Sequence, residues 1–298
     1  MTDILLLDGS MGQELVKRLG KPPTPLWSTA VMLERPDLVR EVHDAYFAAG
    51  ATIATTNSYA LHRNRLERAG IADQLDGLVE ISMDQAQASR DAHGYGLIAG
   101  SMGPYLASYR PDLNPDIDEA AQRYATLGAQ LAQRCDLLLA ETVCSLAEAE
   151  GILKGVADIK TPLWIAFSTA DDDGTKLRSG EDLAALAPLL NRYDPDAVLI
   201  NCTRPEEVAK GLDILAPMGR PIGAYANGFT RISDGFLQTA PTVDTLTARR
   251  DLTPDAYAEI ALSWIDHGAT ILGGCCEVGP DHIAELARQL RAKGHRIT

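Results

Sequence analysis

The chain has 298 residues, 46% hydrophobic and 23% charged, a balance ordinary for a globular enzyme and unlike that of a disordered chain. Its 27 Lys and Arg against 41 Asp and Glu give a formal charge of −14, which repels nucleic-acid backbones and anionic lipid surfaces. Five cysteines are too few for a disulfide framework, the N-terminus has no basic stretch ahead of an apolar one, and no apolar run reaches membrane-spanning length, so a cytoplasmic address is expected.

Ile4-Leu-Leu-Leu-Asp8 reads as a first strand, and Asp8-Gly-Ser-Met-Gly12 as a sharp turn that leaves an acid at the strand's end. A loop with Pro22, Pro23, Pro25, Trp27 and Ser28 follows. Arg35-Pro-Asp37 then opens an amphipathic helix through Ala49, and Gly50 stops it. Thr52-Ile-Ala-Thr-Thr-Asn57 is a β-branched second strand with a polar tip.

The same order then repeats down the chain. Helices expected near residues 71–93, 117–134, 145–159, 182–192, 206–215 and 254–267 lead into strands at 96–100, 136–141, 162–168, 197–202, 221–227 and 269–276. Ser101-Met-Gly-Pro-Tyr105 forms the third tip, and a last helix covers 280–291. Eight strand-then-helix units in a chain of this length predict a single (β/α)8 TIM-type barrel, one domain over residues 1–298, with the longest insertions after strands one, three and seven. An open doubly wound sheet is the lesser alternative, because the first strand is not followed by a phosphate-binding Gly-x-Gly-x-x-Gly.

In such a barrel the C-terminal strand tips surround one mouth, which would gather Asp8, Asn57, Glu141, Cys202, Asn227, Cys275 and Cys276. The Cys275-Cys276 doublet is unsuited to an internal disulfide, because its small ring strains the peptide, whereas two thiolates readily share a soft divalent ion. Cys202, at the end of another apolar run, supplies a third thiol; three thiolates and one open position suit catalytic zinc. Cys135 falls at the opposite end of its strand, while Cys144 falls on the mouth side and is the candidate for a fourth, purely structural ligand. His43, His62, His93, His267, His282 and His295 all lie in helical or loop stretches and receive no role. Asp171-Asp-Asp-Gly174 begins like a calcium loop but lacks its later glutamate, so it reads as a solvated turn.

Asp8-Gly-Ser-Met-Gly-Gln-Glu-Leu15, Thr56-Asn-Ser-Tyr59, Glu141-Thr142, Asn201-Cys202, Tyr225-Ala-Asn227 and Gly273-Gly-Cys-Cys276 with Pro280 together resemble the homocysteine S-methyltransferase family over nearly the whole chain. The most specific element is the Gly-Gly-Cys-Cys tip paired with the upstream Asn-Cys tip. The resemblance implies a zinc-binding barrel in which Cys202, Cys275 and Cys276 are both metal ligands and catalytic groups, and the homocysteine sulfur takes the open position to give methionine.

A free thiol titrates near ~8.5, so methyl transfer to sulfur needs help in forming the thiolate, and the zinc supplies it. On this reading Asp8 and Glu141 pair with the α-ammonium of homocysteine, the backbone of Gly9, Ser10, Met11 and Gly12 receives its carboxylate, and Asn227 completes the substrate site. Trp27, Tyr59 and Tyr105 are the expected donor-binding rings. A cationic sulfonium is favoured as methyl donor, S-methylmethionine ahead of S-adenosylmethionine, over betaine, because Ala60 stands where the related betaine enzymes carry a ring. Glu277-Val-Gly-Pro280 departs from the Gly-Thr-Thr-Pro more common among relatives and places a charge beside the metal. A betaine- or corrinoid-dependent subunit, or a zinc-thiolate barrel that binds a thiol without turning it over, is the alternative; no nucleic-acid or membrane partner is expected.

Overall fold

The computed structural model describes residues 2–238 and 245–298. Nine strands form one wholly parallel sheet: β1 (Asp3–Leu6), β2 (Ile53–Thr55), β3 (Leu97–Met102), β4 (Leu137–Val143), β5 (Leu163–Phe167), β6 (Ala197–Asn201), β7 (Ile222–Ala226), β8 (Ala269–Gly274) and β9 (Arg296–Ile297). Strands β2 to β8 pair in sequence order, and β1 pairs with β8. The ring closes where Thr52 N donates to Leu6 O at 2.7 Å, Asp8 N donates to Ile53 O at 3.0 Å, and Leu7 bridges Ile53. The expected eight-stranded barrel is therefore present, with each strand falling within two residues of its expected span.

Strand alternation sorts the core into two compartments. Leu137 and Leu139 of β4, Trp164 and Ala166 of β5, and Ala197 and Leu199 of β6 fill the barrel interior. The intervening Leu138, Ala140, Ile165, Phe167, Val198 and Ile200 face outward and pack beneath the helices. Continuing the inward row upward brings Ser101, Glu141 and Asn201 to the C-terminal opening, so the parity that builds the core also aims polar groups into the mouth.

Among the described residues the helices are α1 (Met11–Leu19), α2 (Ser28–Glu34), α3 (Pro36–Ala49), α4 (Arg63–Arg68), α5 (Leu75–His93), α6 (Ile117–Leu131), α7 (Leu146–Val156), α8 (Ala187–Tyr193), α9 (Pro205–Leu215), α10 (Pro254–Ser263) and α11 (Pro280–Ala292); α3 and α5 to α11 are the expected ones. Asp116, Ser145 and Thr253 cap α6, α7 and α10 by accepting a backbone N–H three residues on, each at a gain of about 1 kcal/mol. Gly50 ends α3 at φ 105°, a conformation that a side chain would strain.

Four elements depart from expectation. Met11–Leu19 forms α1, where a turn through Gly12 and then a loop were expected. The loop of Ser28 contains α2, α4 stands between β2 and α5, and β9 adds a ninth strand whose Asp3–Arg296 and Ile4–Ile297 pairs extend β1 at the floor of the barrel. The insertions after β1 and β3 are present as expected; that after β7 includes residues 239–244, which lie outside the described residues. No described helix is long and apolar enough to cross a membrane.

Candidate active site

The tips of β6, β7 and β8 are tied together by backbone hydrogen bonds. Cys202 N donates to Tyr225 O at 3.1 Å, Cys275 N to Ala226 O at 2.9 Å, and Gly228 N to Cys276 O at 2.7 Å. These bonds hold three sulfurs in one cluster, with Cys202 Sγ 2.8 Å from Cys275 Sγ and 3.8 Å from Cys276 Sγ, and the doublet's own sulfurs 3.9 Å apart. Tetrahedral zinc–sulfur bonds of ~2.3 Å put ligand sulfurs ~3.8 Å apart, so two of the three edges already fit a metal and the third opens by about 1 Å. The donor set is also right for a soft divalent ion, and these are the described residues that converge as a metal-ligand group.

Cys202 carries the thiol most disposed to ionise. Hydrogen bonds from Cys275 and then Cys276 hold it well below the ordinary thiol range, against the cost of burial, and the Tyr109 hydroxyl and the Arg178 guanidinium add to the effect. Arg178 also binds the backbone of this residue, donating to Cys202 O at 3.3 Å, while its own charge is paired with Asp171 at 2.8 Å. The second oxygen of Asp171 accepts from Ile232 N at 2.7 Å, and Asp173 accepts from the Thr175 hydroxyl, so both acids are engaged within the protein. Cys144 is buried and donates to Thr142 O at 3.1 Å, apart from the three-sulfur group, and Cys135 lies against Gly100 near the start of β4.

Glu141 and Asp8 sit in the same cavity, each almost wholly buried. Glu141 accepts from Ser101 Oγ and, at 3.3 Å, from the Tyr225 hydroxyl. It lies at a register shift between β4 and β5, where Thr142 adopts φ 64° and is pinned by Asn201, whose Oδ1 accepts from Thr142 N at 3.0 Å. Asp8 accepts from Thr55 twice, N to Oδ2 and Oγ1 to Oδ1, both at 2.7 Å. Burial pushes both carboxyls up to about 7; for Asp8 the negative charge of Glu141 adds to that rise, and for Glu141 that of Cys202 does so, with their hydrogen bonds opposing. Two acids held this close to neutrality are prepared to ionise when a cation enters.

The cavity has a volume of about 680 Å³. Gly9, Ser10, Met11 and Gly12 line it at the first turn of α1, where Ser10 N is committed to Val278 O at 2.9 Å. The N–H groups of the first helical turn have no intrahelical acceptor and face a natural site for an anion. Gly12 is required by its neighbour, because a Cβ there would lie 2.4 Å from the Trp27 ring. Trp27 and Tyr59 stand edge to face with centroids 6.0 Å apart and form one wall.

Two expected site residues lie elsewhere. Tyr105 does not line the cavity; its ring packs against His62 and beneath the Arg123 guanidinium. Asn227 is buried outside it, its Oδ1 accepting from Phe229 N at 3.0 Å to turn the chain after β7. In their place Tyr109, Phe229 and Phe236 contribute rings to the lining, and Ala60 is buried outside it. The Glu277 side chain is engaged by Gln13, which donates its amide to the carboxylate while accepting from Glu277 N at 2.7 Å.

A parallel barrel that brings three thiols able to hold a metal, two buried carboxyls and an aromatic wall to one cavity at its mouth belongs to the class of barrels that act on small molecules. The chain belongs to the homocysteine S-methyltransferase family, whose profile matches residues 5–290. It is 29% identical over 310 residues to homocysteine S-methyltransferase YbgG of Bacillus subtilis, covering 97% of this chain and 95% of the relative. It is 32% identical over 303 residues to a homocysteine S-methyltransferase of Escherichia coli, covering 95% and 94%. Crystal structures of the homocysteine methyltransferase MmuM from Escherichia coli superpose with TM-scores of 0.80 (metallated form, 29% identity) and 0.82 (oxidized form, 28% identity), each covering 97% of this chain and 96% of the other.

Proposed function

We propose that this chain, as one barrel domain, transfers a methyl group from a cationic donor to the sulfur of homocysteine, giving methionine, with zinc held by Cys202, Cys275 and Cys276. The observation that carries this reading is the convergence of those three sulfurs on the cavity that also holds Asp8 and Glu141. When bound, zinc supplies the Lewis acidity that keeps the acceptor thiol ionised at neutral pH.

Every other part of the task falls to the protein. Glu141 and Asp8 receive the α-ammonium group, ionising as it arrives, and the first turn of α1 receives the carboxylate. Trp27 and Tyr59 present ring faces to the positive donor. The thiolate lone pair attacks the methyl carbon in line; the donor's C–S bond breaks, its electron pair stays on the departing sulfur, and a neutral thioether leaves. With S-methylmethionine as donor, both products are methionine. No acid catalyst is needed, which agrees with a mouth whose titratable groups are positioned to bind charge.

S-methylmethionine is the first donor to test and S-adenosylmethionine the second, because buried acids and thiols attract a compact cation. Zinc-loaded protein incubated with homocysteine and, in turn, S-methylmethionine, S-adenosylmethionine, betaine or a methylated corrinoid should form methionine fastest with S-methylmethionine. Faster turnover with betaine would overturn the donor assignment alone. Zinc and homocysteine binding with no methionine from any donor would instead support a non-catalytic thiol-binding barrel.

A further inference from the structure

The charges lining the cavity are segregated. Its carboxyls, Asp8 and Glu141, lie at the strand tips beside the thiols and are already held by Thr55, Ser101 and Tyr225. Its cations, Arg65 and Arg68, come from α4. Arg68 is exposed, whereas Arg65 is half-buried, with its Nε enclosed, and has no ion-pair partner among the described residues. Among the described residues its Nη2 reaches only the Pro104 carbonyl, at 3.4 Å, and its buried Nε has no hydrogen-bond partner. Burial pulls its pKa down, with no carboxylate nearby to restore it. Arg178, by contrast, is paired with Asp171 at 2.8 Å, as a buried guanidinium ordinarily must be. A second lining donor, Trp27 Nε1, is also buried and unpartnered.

An unpaired, half-buried guanidinium in a ligand cavity is costly unless an anion completes it, and a carboxylate matches its planar fork. The acceptor's own carboxylate is assigned to a different element, the first turn of α1. On the thiol-methyltransferase reading above, we propose that Arg65 receives the carboxylate of the methyl donor, so that the enzyme selects zwitterionic donors carrying a carboxylate over cationic donors that lack one. The donor then enters with its carboxylate on Arg65 and its positive centre against Trp27 and Tyr59, directed at the thiols.

The test is calorimetric binding to the zinc-loaded full chain, using S-methylmethionine and its methyl ester as probes and homocysteine as control. Wild-type protein should bind the free acid about 10–100-fold more tightly than the ester, as expected for a charge-assisted pair. Arg65→Gln should abolish that difference, Arg65→Lys should restore part of it, and homocysteine affinity, zinc content and melting temperature should stay unchanged. Equal binding of acid and ester by the wild type would overturn the proposal, as would an Arg65→Gln protein whose loss falls on homocysteine. Methionine formation by the same wild-type preparation reports separately on the methyltransferase reading, which survives either result.

Discussion

The Tyr109 hydroxyl lies 2.8 Å from Cys202 Sγ, and both residues hold a left-handed backbone, at φ 62° and φ 47°. For side chains of this kind that conformation costs on the order of 1–2 kcal/mol per residue, which the Arg178 guanidinium, 4.6 Å above the Tyr109 ring and bonded to Cys202 O, helps to offset. Tyr109→Phe keeps the ring and removes only the hydrogen bond to sulfur. Metal affinity should fall by about 10–100-fold, as for other partners of metal ligands, measured by competition with a chelator. An unchanged affinity would mean the hydroxyl merely fills space.

Cys202→Ser, Cys275→Ser and Cys276→Ser should each strip the metal and abolish turnover, whereas Cys144→Ser should retain both, because its thiol is directed to Thr142 O. Metal content per chain decides the matter. Full zinc in Cys202→Ser, or its loss in Cys144→Ser, would reassign the ligands.

Glu141→Gln should raise KM for homocysteine strongly with the metal still in place, since an α-ammonium left without its charge partner costs ~2–5 kcal/mol. Asp8→Asn should act in the same direction. The wild-type carboxyls titrate at about 7, and only their ionised forms pair with the ammonium. Homocysteine affinity should therefore rise with pH across that range, and the Asp8→Asn, Glu141→Gln double variant should lose the part of the rise owed to these two groups.

Glu148 offers a pH test on stability rather than on binding. Burial holds its carboxyl at about 7, against the opposing hydrogen bonds from Cys144 N, at 2.8 Å, and from the Asn114 side chain. Between the unfolded value of ~4.3 and about 7 the folded chain keeps a proton that the unfolded chain has released, so this group lowers stability as pH rises through that window. Glu148→Gln preserves the acceptor and removes the charge. Denaturant melts should show the variant more stable than wild type above neutrality, by on the order of 3 kcal/mol, with the gap closing toward pH ~4. A constant gap would show that Glu148 stays ionised.

The barrel was legible because each unit repeats one physical pattern: an apolar β-branched run, a polar tip, then a helix marked by its cap or glycine. Cys202 and the Cys275-Cys276 doublet were visible for the same reason, as thiols placed at tips that topology brings to one rim. The exceptions had no such signal. Only Leu66 of α4 is buried, so its sequence shows no apolar period, and α2 follows a Trp27 backbone at φ 50° that no residue pattern announces. Tyr109 meets Cys202 across 93 residues of chain, a relationship carried by loop geometry. Tyr105 was expected at the mouth from its strand-tip position, yet the loop after β3 turns its ring toward His62.

Thr142, Cys202 and Glu277, just past or within the tips of β4, β6 and β8, all hold positive φ without being glycine. At Glu277, φ is 65°, a conformation that glycine adopts without strain. The thiol-bearing rim is therefore the part of this barrel with most to gain from relaxation. A search for heat-resistant variants that ignored turnover should accumulate changes at Thr142 and Glu277 first, and the hardiest of them would be slower enzymes.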